Sequence, residues 1–201
     1  MFRIGTLIYG VLSYVVFVGV FLYAVGFLGG FGTPTTLDGA PRSPLWPALT
    51  VDLALLAGFA VQHSGMARPA FKRWWTQIVP EPAERSTYVL VSSLLMVGLF
   101  LWWQPIGGVI WRTPEGWPTS LVLGLYGFGW ALLFYATFLI DHFDLFGLKQ
   151  AWRQLVGASY RPPQFHTPGL YKLVRHPLYV GWLVIFWSAT TMTWPTWSSQ
   201  S

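Results

Sequence analysis

Four long apolar stretches and a shorter fifth, almost free of charge, constrain this chain more than any other feature. A helix needs about 20 apolar residues to cross a bilayer. Ile4–Leu28, Ala48–Met66, Ser86–Trp103 and Pro118–Ile140 meet or approach that length, and Pro177–Thr193 is a shorter candidate. Only 9% of the 201 residues are charged, against roughly a quarter in a soluble domain, so a water-facing surface cannot be dressed. In lipid the backbone must satisfy its own hydrogen bonds, which favours helices. The expected fold is all-α: a polytopic integral membrane helix bundle of about five transmembrane helices, forming one domain over residues 1–201. Ile4–Leu28 is longer than the roughly 7–15-residue apolar core of a signal peptide and no small-x-small cleavage site follows it, so it reads as a retained span.

The connections between spans set an orientation. Arg68, Lys72, Arg73 and Arg85 follow the second span, and Lys149, Arg153, Arg161, Lys172 and Arg175 follow the fourth. The other two connections hold only Arg42 and Arg112, so with Arg3 ten of the twelve basic residues fall on one side. Cytoplasmic loops carry such an excess. The N-terminus is therefore expected inside, in a multi-pass protein of the inner (cytoplasmic) membrane. The net charge of +5 is dispersed among loops with no basic helix face, which argues against a nucleic-acid partner.

Absent cysteine excludes disulfides, thiolate metal sites and cysteine nucleophiles. The four histidines, His63, His142, His166 and His176, all fall on the basic side, but no H-E-x-x-H or other compact ligand spacing joins them. No metal site is expected. The glycine-rich run at residues 26–32 ends a span and lacks the strand-turn-helix setting of a phosphate loop.

Ionisable residues at membrane depth are expensive and often functional. Asp52, near the start of the second span, suits a helix start or an interhelical hydrogen bond. His63, between Gln62 and Ser64 at the end of that span, either bonds a neighbouring carbonyl or lines a cavity open to the cytoplasm. Asp141-His142-Phe143-Asp144 directly follows the fourth span. Two acids at a helix C-terminus oppose the helix dipole, so anchoring explains them poorly. A carboxylate beside an imidazole suits deprotonation of a weak acid, or a cationic ligand. Farther on, R-H-P-L-Y-V-G at 175–181 follows P-G-L-Y at 168–171. Pro177 suits the first turn of a helix, placing Arg175, His176 and Tyr179, with Tyr171 nearby, where unbonded amides favour an anion.

These motifs also carry a resemblance. R-H-P-L-Y-V-G, with Q-H-S-G-M-A-R-P-A-F-K at 62–72, E-R-S-T-Y-V-L at 84–90 and I-D-H-F-D-L-F-G-L-K-Q at 140–150, resembles the bacterial methanethiol S-methyltransferases. These sit in the membrane methyltransferase superfamily with the isoprenylcysteine carboxyl methyltransferases and the NnrU-like proteins. The resemblance implies methyl transfer from S-adenosylmethionine to methanethiol, giving dimethyl sulfide, by a protein whose partners are that small thiol and the lipid bilayer. It implies a cofactor site framed by His166, Tyr171, Arg175, His176 and Tyr179, with Gly181 allowing close helix approach. His142 or His63 would be the base, and Asp141 would orient one of them or face the sulfonium. The alternatives are a lipid or isoprenylcysteine-type acceptor, or a non-enzymatic NnrU-like role. The resemblance ends near Met192, where the family continues into another span and a paired acidic motif. The chain therefore reads as truncated after about residue 193.

Overall fold

The computed structural model describes residues 2–162 and 169–193. The anticipated cofactor residue His166 lies outside them. Helices α1 (Phe2–Gly29), α2 (Leu45–Met66), α4 (Glu81–Trp102) and α5 (Trp117–Ile140) are each long and apolar enough to cross a membrane. The chain is an all-α membrane bundle, apart from one two-stranded ladder. Glu81 and Glu84 occupy the first turn of α4, where carboxylates meet the positive end of the helix dipole. That turn brings α4 down to Glu81, earlier than its apolar stretch suggests.

The anticipated fifth span departs from expectation. Helix α8 covers only Pro177–Trp187, 11 residues, or roughly 16 Å at the helical rise, against a hydrocarbon core of about 30 Å. Beyond it β2 (Thr191–Thr193) pairs antiparallel with β1 (Val109–Arg112), Arg112 opposite Thr191 and Val109 opposite Thr193. Thr190, Thr191 and Thr193 are β-branched and leave the helix readily for a pleated partner. Trp111 seals the junction by stacking on Trp187 at 6.4 Å and donating its indole N–H to the Ala189 carbonyl.

Helix α8 packs against α5 through glycines. A Cβ on Gly181 would stand 3.0 Å from Leu133 Cβ and 3.1 Å from the Gly129 carbonyl, and one on Gly129 would stand 2.9 Å from Ile185. Without a hydrophobic force between helices in lipid, such close backbone approach is what holds them. The larger core joins α1, α4, α5 and α8 through Phe27, Phe100, Tyr126, Trp130, Leu133 and Ile185. A smaller one gathers Met66, Tyr88, Val89 and Phe146.

The connections sort to two ends of the bundle. At one end the Gln104 amide donates to Asp52 at 2.9 Å, in keeping with an interhelical role for Asp52, and the Trp103 indole donates to the Leu37 carbonyl. At the other end lie α3 (Pro69–Trp75), α6 (His142–Leu145), α7 (Leu148–Leu155) and a 3₁₀ turn at Gly169–Lys172. Arg85 donates to the Leu145 carbonyl at 2.8 Å, and Gly147 lies directly on Ser86. The segments richest in Lys and Arg thus share one end.

Candidate functional site

The site begins where α5 stops. Asp141 takes φ 104°, the only positive value among the described non-glycine residues, a conformation that Asp tolerates better than most side chains. Its carboxylate accepts from the Asp144 amide at 3.2 Å, capping α6, and pairs with Lys149 of α7. Burial alone would raise the Asp141 carboxyl, but these hydrogen bonds and the Lys149 charge hold it below its ordinary value.

The sharp turn at Asp141 throws His142 inward, where it is 2% exposed. The imidazole stacks on Phe138 at 4.3 Å, nearly parallel. Thr137 Oγ1 lies 2.7 Å from Nδ1 and donates its single proton to the Phe134 carbonyl at 2.6 Å. It therefore accepts from Nδ1–H, which leaves the lone pair on Nε2. The Tyr14 hydroxyl, 2.8 Å from Nε2, donates to it. Burial lowers the imidazole's pKa, so His142 is neutral with a fixed tautomer. Asp141 is not its hydrogen-bond partner, because the inward turn sends the two side chains to different neighbours.

His63 stands apart. It stacks on Phe59 at 5.2 Å, and the Tyr88 hydroxyl lies 3.0 Å from its ring nitrogens. The Arg85 guanidinium covers the Tyr88 ring at 5.1 Å. Among the described residues no hydrogen bond or ring contact joins His63 to His142. Each is tethered to a tyrosine on a neighbouring helix instead.

Asp144 organises a third group. It accepts from the Tyr160 hydroxyl at 2.8 Å, and the Gln150 side-chain amide donates to its backbone carbonyl. Burial and the Asp144 carboxylate push the Tyr160 phenol up to about 12, so it stays a proton donor.

At the mouth of α8, Gly169 approaches Leu139 and Tyr135 of α5, which lays the entering chain along the last turns of α5. Arg175 and His176 precede the helix, exposed, and the His176 and Tyr179 rings are 5.3 Å apart. Tyr171 is half-buried, and burial raises its phenol. Gly181 is buried in the α5 contact. The residues anticipated from sequence thus form two groups flanking the end of α5: Asp141–His142, and Tyr171 with Arg175, His176 and Tyr179. The sequence reading missed Tyr14, Thr137, Lys149, Tyr160 and Tyr88. A tyrosine within an apolar span, such as Tyr14, was the one signal available for its role.

No family model and no solved structure matches the chain. Methanethiol S-methyltransferase of Crocosphaera subtropica is 46% identical over 191 residues, 95% of this chain and 75% of that protein. The enzyme of the same name from Mycobacterium tuberculosis is 45% identical over 195 residues, 96% of this chain and 79% of that protein. Nurim of Bos taurus is more distant, 32% identical over 153 residues, covering 72% of this chain and 58% of that protein. Identity at this level over 95–96% of the chain makes it a member of the methanethiol S-methyltransferase family of enzymes.

Proposed function

We propose that the protein transfers the methyl group of S-adenosylmethionine to methanethiol, yielding dimethyl sulfide, at the cytoplasmic face of the inner membrane. The observation that carries this reading is the 46% identity to a methanethiol S-methyltransferase over 95% of the chain. The excess of Lys and Arg at the end of the bundle holding the site supports the orientation, with the N-terminus on the cytoplasmic side.

The residues at the mouth of α8 suit such a cofactor. Arg175 forms no ion pair among the described residues and is available to hydrogen-bond the cofactor's oxygen atoms. The His176 and Tyr179 rings offer faces for a heteroaromatic base. Tyr171 adds a protonated hydroxyl, and His166, which lies outside the described residues, stays a candidate from sequence alone. When bound, S-adenosylmethionine supplies an electrophilic methyl group on a sulfonium sulfur. The close α5–α8 contact at Gly181, with Gly169 against Leu139, sets this mouth along the last turns of α5, the helix that Asp141 and His142 follow.

The chain's own residues manage the thiol proton. Methanethiol must lose its S–H proton for its sulfur to attack, and His142 is the base we assign. Its lone pair is reached through Tyr14: the thiol proton passes to the Tyr14 oxygen as the Tyr14 proton passes to Nε2. The product imidazolium, stacked against Phe138 in a buried site, then returns its proton to solvent by the same route. Asp141 holds the segment in place through Lys149. His63, tethered to Tyr88, is the second candidate base.

The test is headspace chromatography of dimethyl sulfide, using the purified protein in lipid with S-adenosylmethionine and methanethiol. We expect dimethyl sulfide and S-adenosylhomocysteine in equal amounts. Product no faster than in protein-free controls would overturn the reading. Arg175→Ala should raise the KM for S-adenosylmethionine by the equivalent of about 1.5–3 kcal/mol, the range for a charged hydrogen bond.

A further inference from the structure

The hydrogen bond on the far side of the His142 ring from Tyr14 decides which ring nitrogen is basic. A neutral imidazole carries one proton, and the partner of one nitrogen sets the state of the other. Free histidine in water favours the proton on Nε2. In this protein the proton sits on Nδ1, so the surroundings hold it in the less favoured place.

Thr137 is the group that does so. It is 5% exposed and lies near the end of α5, five residues before His142. Its hydroxyl proton is committed to the Phe134 carbonyl at 2.6 Å, which leaves only lone pairs toward Nδ1 at 2.7 Å. A hydroxyl in that state accepts and cannot donate. The other rings around the imidazole are Phe134, Phe138, Phe143 and Phe146, with Tyr14 at the opposite nitrogen. Among the described residues no second acceptor reaches Nδ1. Losing the Thr137 oxygen would leave a buried N–H unsatisfied, a state costly enough to move the proton.

Moving it inverts the bond to Tyr14. With the proton on Nε2 the phenol becomes the acceptor, and the lone pair, now on Nδ1, faces away from it. The nearby acids do not oppose this change through a bond of their own: Asp141 pairs with Lys149 and Asp144 accepts from Tyr160. From α1, Tyr14 is the one titratable side chain among the described residues that hydrogen-bonds the ring.

We infer that Thr137 is a positioning residue: its oxygen keeps the His142 proton on Nδ1, so that Nε2 is the nitrogen that takes up a proton through Tyr14. The kinetic part of this inference rests on the assignment of His142 as the base; the placement of the proton does not.

The test uses the purified full chain in lipid nanodiscs, with the histidine ring nitrogens labelled with nitrogen-15 and the His142 signals identified by their loss in His142→Gln. Thr137→Val removes the acceptor at nearly constant shape, and Thr137→Ser keeps it. Nitrogen NMR should show a protonated Nδ1 and a bare Nε2 in wild type and Thr137→Ser, and the reverse in Thr137→Val. The kcat for methyl transfer near neutral pH should fall at least about tenfold in Thr137→Val, because a base held in the wrong tautomer forfeits much of the about 10²–10⁴ that general-base catalysis supplies. The KM for S-adenosylmethionine should change little, the loss should shrink as pH rises and free thiolate accumulates, and Thr137→Ser should keep most of the rate. An unchanged His142 tautomer in Thr137→Val would overturn the inference, whatever the rate. A reversed tautomer with an unchanged rate would uphold the placement of the proton and remove His142 as the base. Should Thr137→Val fail to fold, Thr137→Ala removes the same oxygen and carries the comparison.

Discussion

Tyr14 and His142 are 128 positions apart in the chain and 2.8 Å apart in space. This bond ties the middle of α1 to the segment just beyond α5, and it leaves the His142 lone pair facing a phenol. Removing the phenol leaves a buried ring nitrogen unsatisfied. Tyr14→Phe should therefore cost about 1–3 kcal/mol of stability, read as a lowered denaturation midpoint in detergent. An unchanged midpoint would mean that water takes the place of the hydroxyl.

The same pair sets a kinetic expectation. His142→Ala should lower the methyl-transfer rate by about 10²–10⁴, the usual contribution of general acid–base catalysis, with little change in the KM for S-adenosylmethionine. The loss should shrink as pH rises and free thiolate accumulates. Tyr14→Phe should show the same pH pattern, because it interrupts the route to the same nitrogen. Equal impairment at every pH would assign both residues to structure and pass the role of base to His63.

Burial holds His142 below its ordinary pKa of 6.5, and this carries a sign. As pH falls through about 6.5 the unfolded chain takes up a proton that the folded chain resists, so stability declines until pH passes the folded value and then levels off. Asp141 is shifted below its ordinary 3.8, so its contribution is fully present above that value and is lost only as pH falls further. Thermal midpoints should therefore drop as pH falls below about 6.5 in a His142-dependent way. His142→Gln, which cannot titrate, should flatten that slope. An identical slope in the variant would place the titrating group elsewhere.

The α5–α8 contact admits no side chain at position 181. Gly181→Val should cost about 1–3 kcal/mol through overpacking against Leu133 and the Gly129 carbonyl. Displacement of α8 should also weaken S-adenosylhomocysteine binding at its mouth. A variant with wild-type stability and affinity would show that the contact has no part in positioning the site.

Much of this was legible in sequence because a bilayer allows few solutions. Helices α1, α2, α4 and α5 follow from apolar length alone, and the motifs at Asp141–His142 and Arg175–Gly181 stand out as polar groups at the edges of apolar runs. The limits were tertiary. Apolar composition over Pro177–Thr193 does not reveal that Thr191–Thr193 finds a strand partner in Val109–Arg112, because ladder pairing is a long-range event. Asp141 and His142, adjacent in sequence, suggested a paired carboxylate and imidazole. The left-handed turn at Asp141 separates them, and only the folded chain shows that Lys149 takes one and Tyr14 the other.

Methyl transfer in oriented membrane vesicles tests the central claim most directly. S-adenosylmethionine is charged and does not cross a bilayer, whereas methanethiol and dimethyl sulfide do. Inverted vesicles, with the cytoplasmic face outward, should produce dimethyl sulfide from added S-adenosylmethionine and methanethiol. Sealed right-side-out vesicles should produce it only after permeabilisation. Equal production by intact vesicles of both orientations would contradict a cytoplasmic site, and production by neither, even when permeabilised, would contradict the methyl transfer itself.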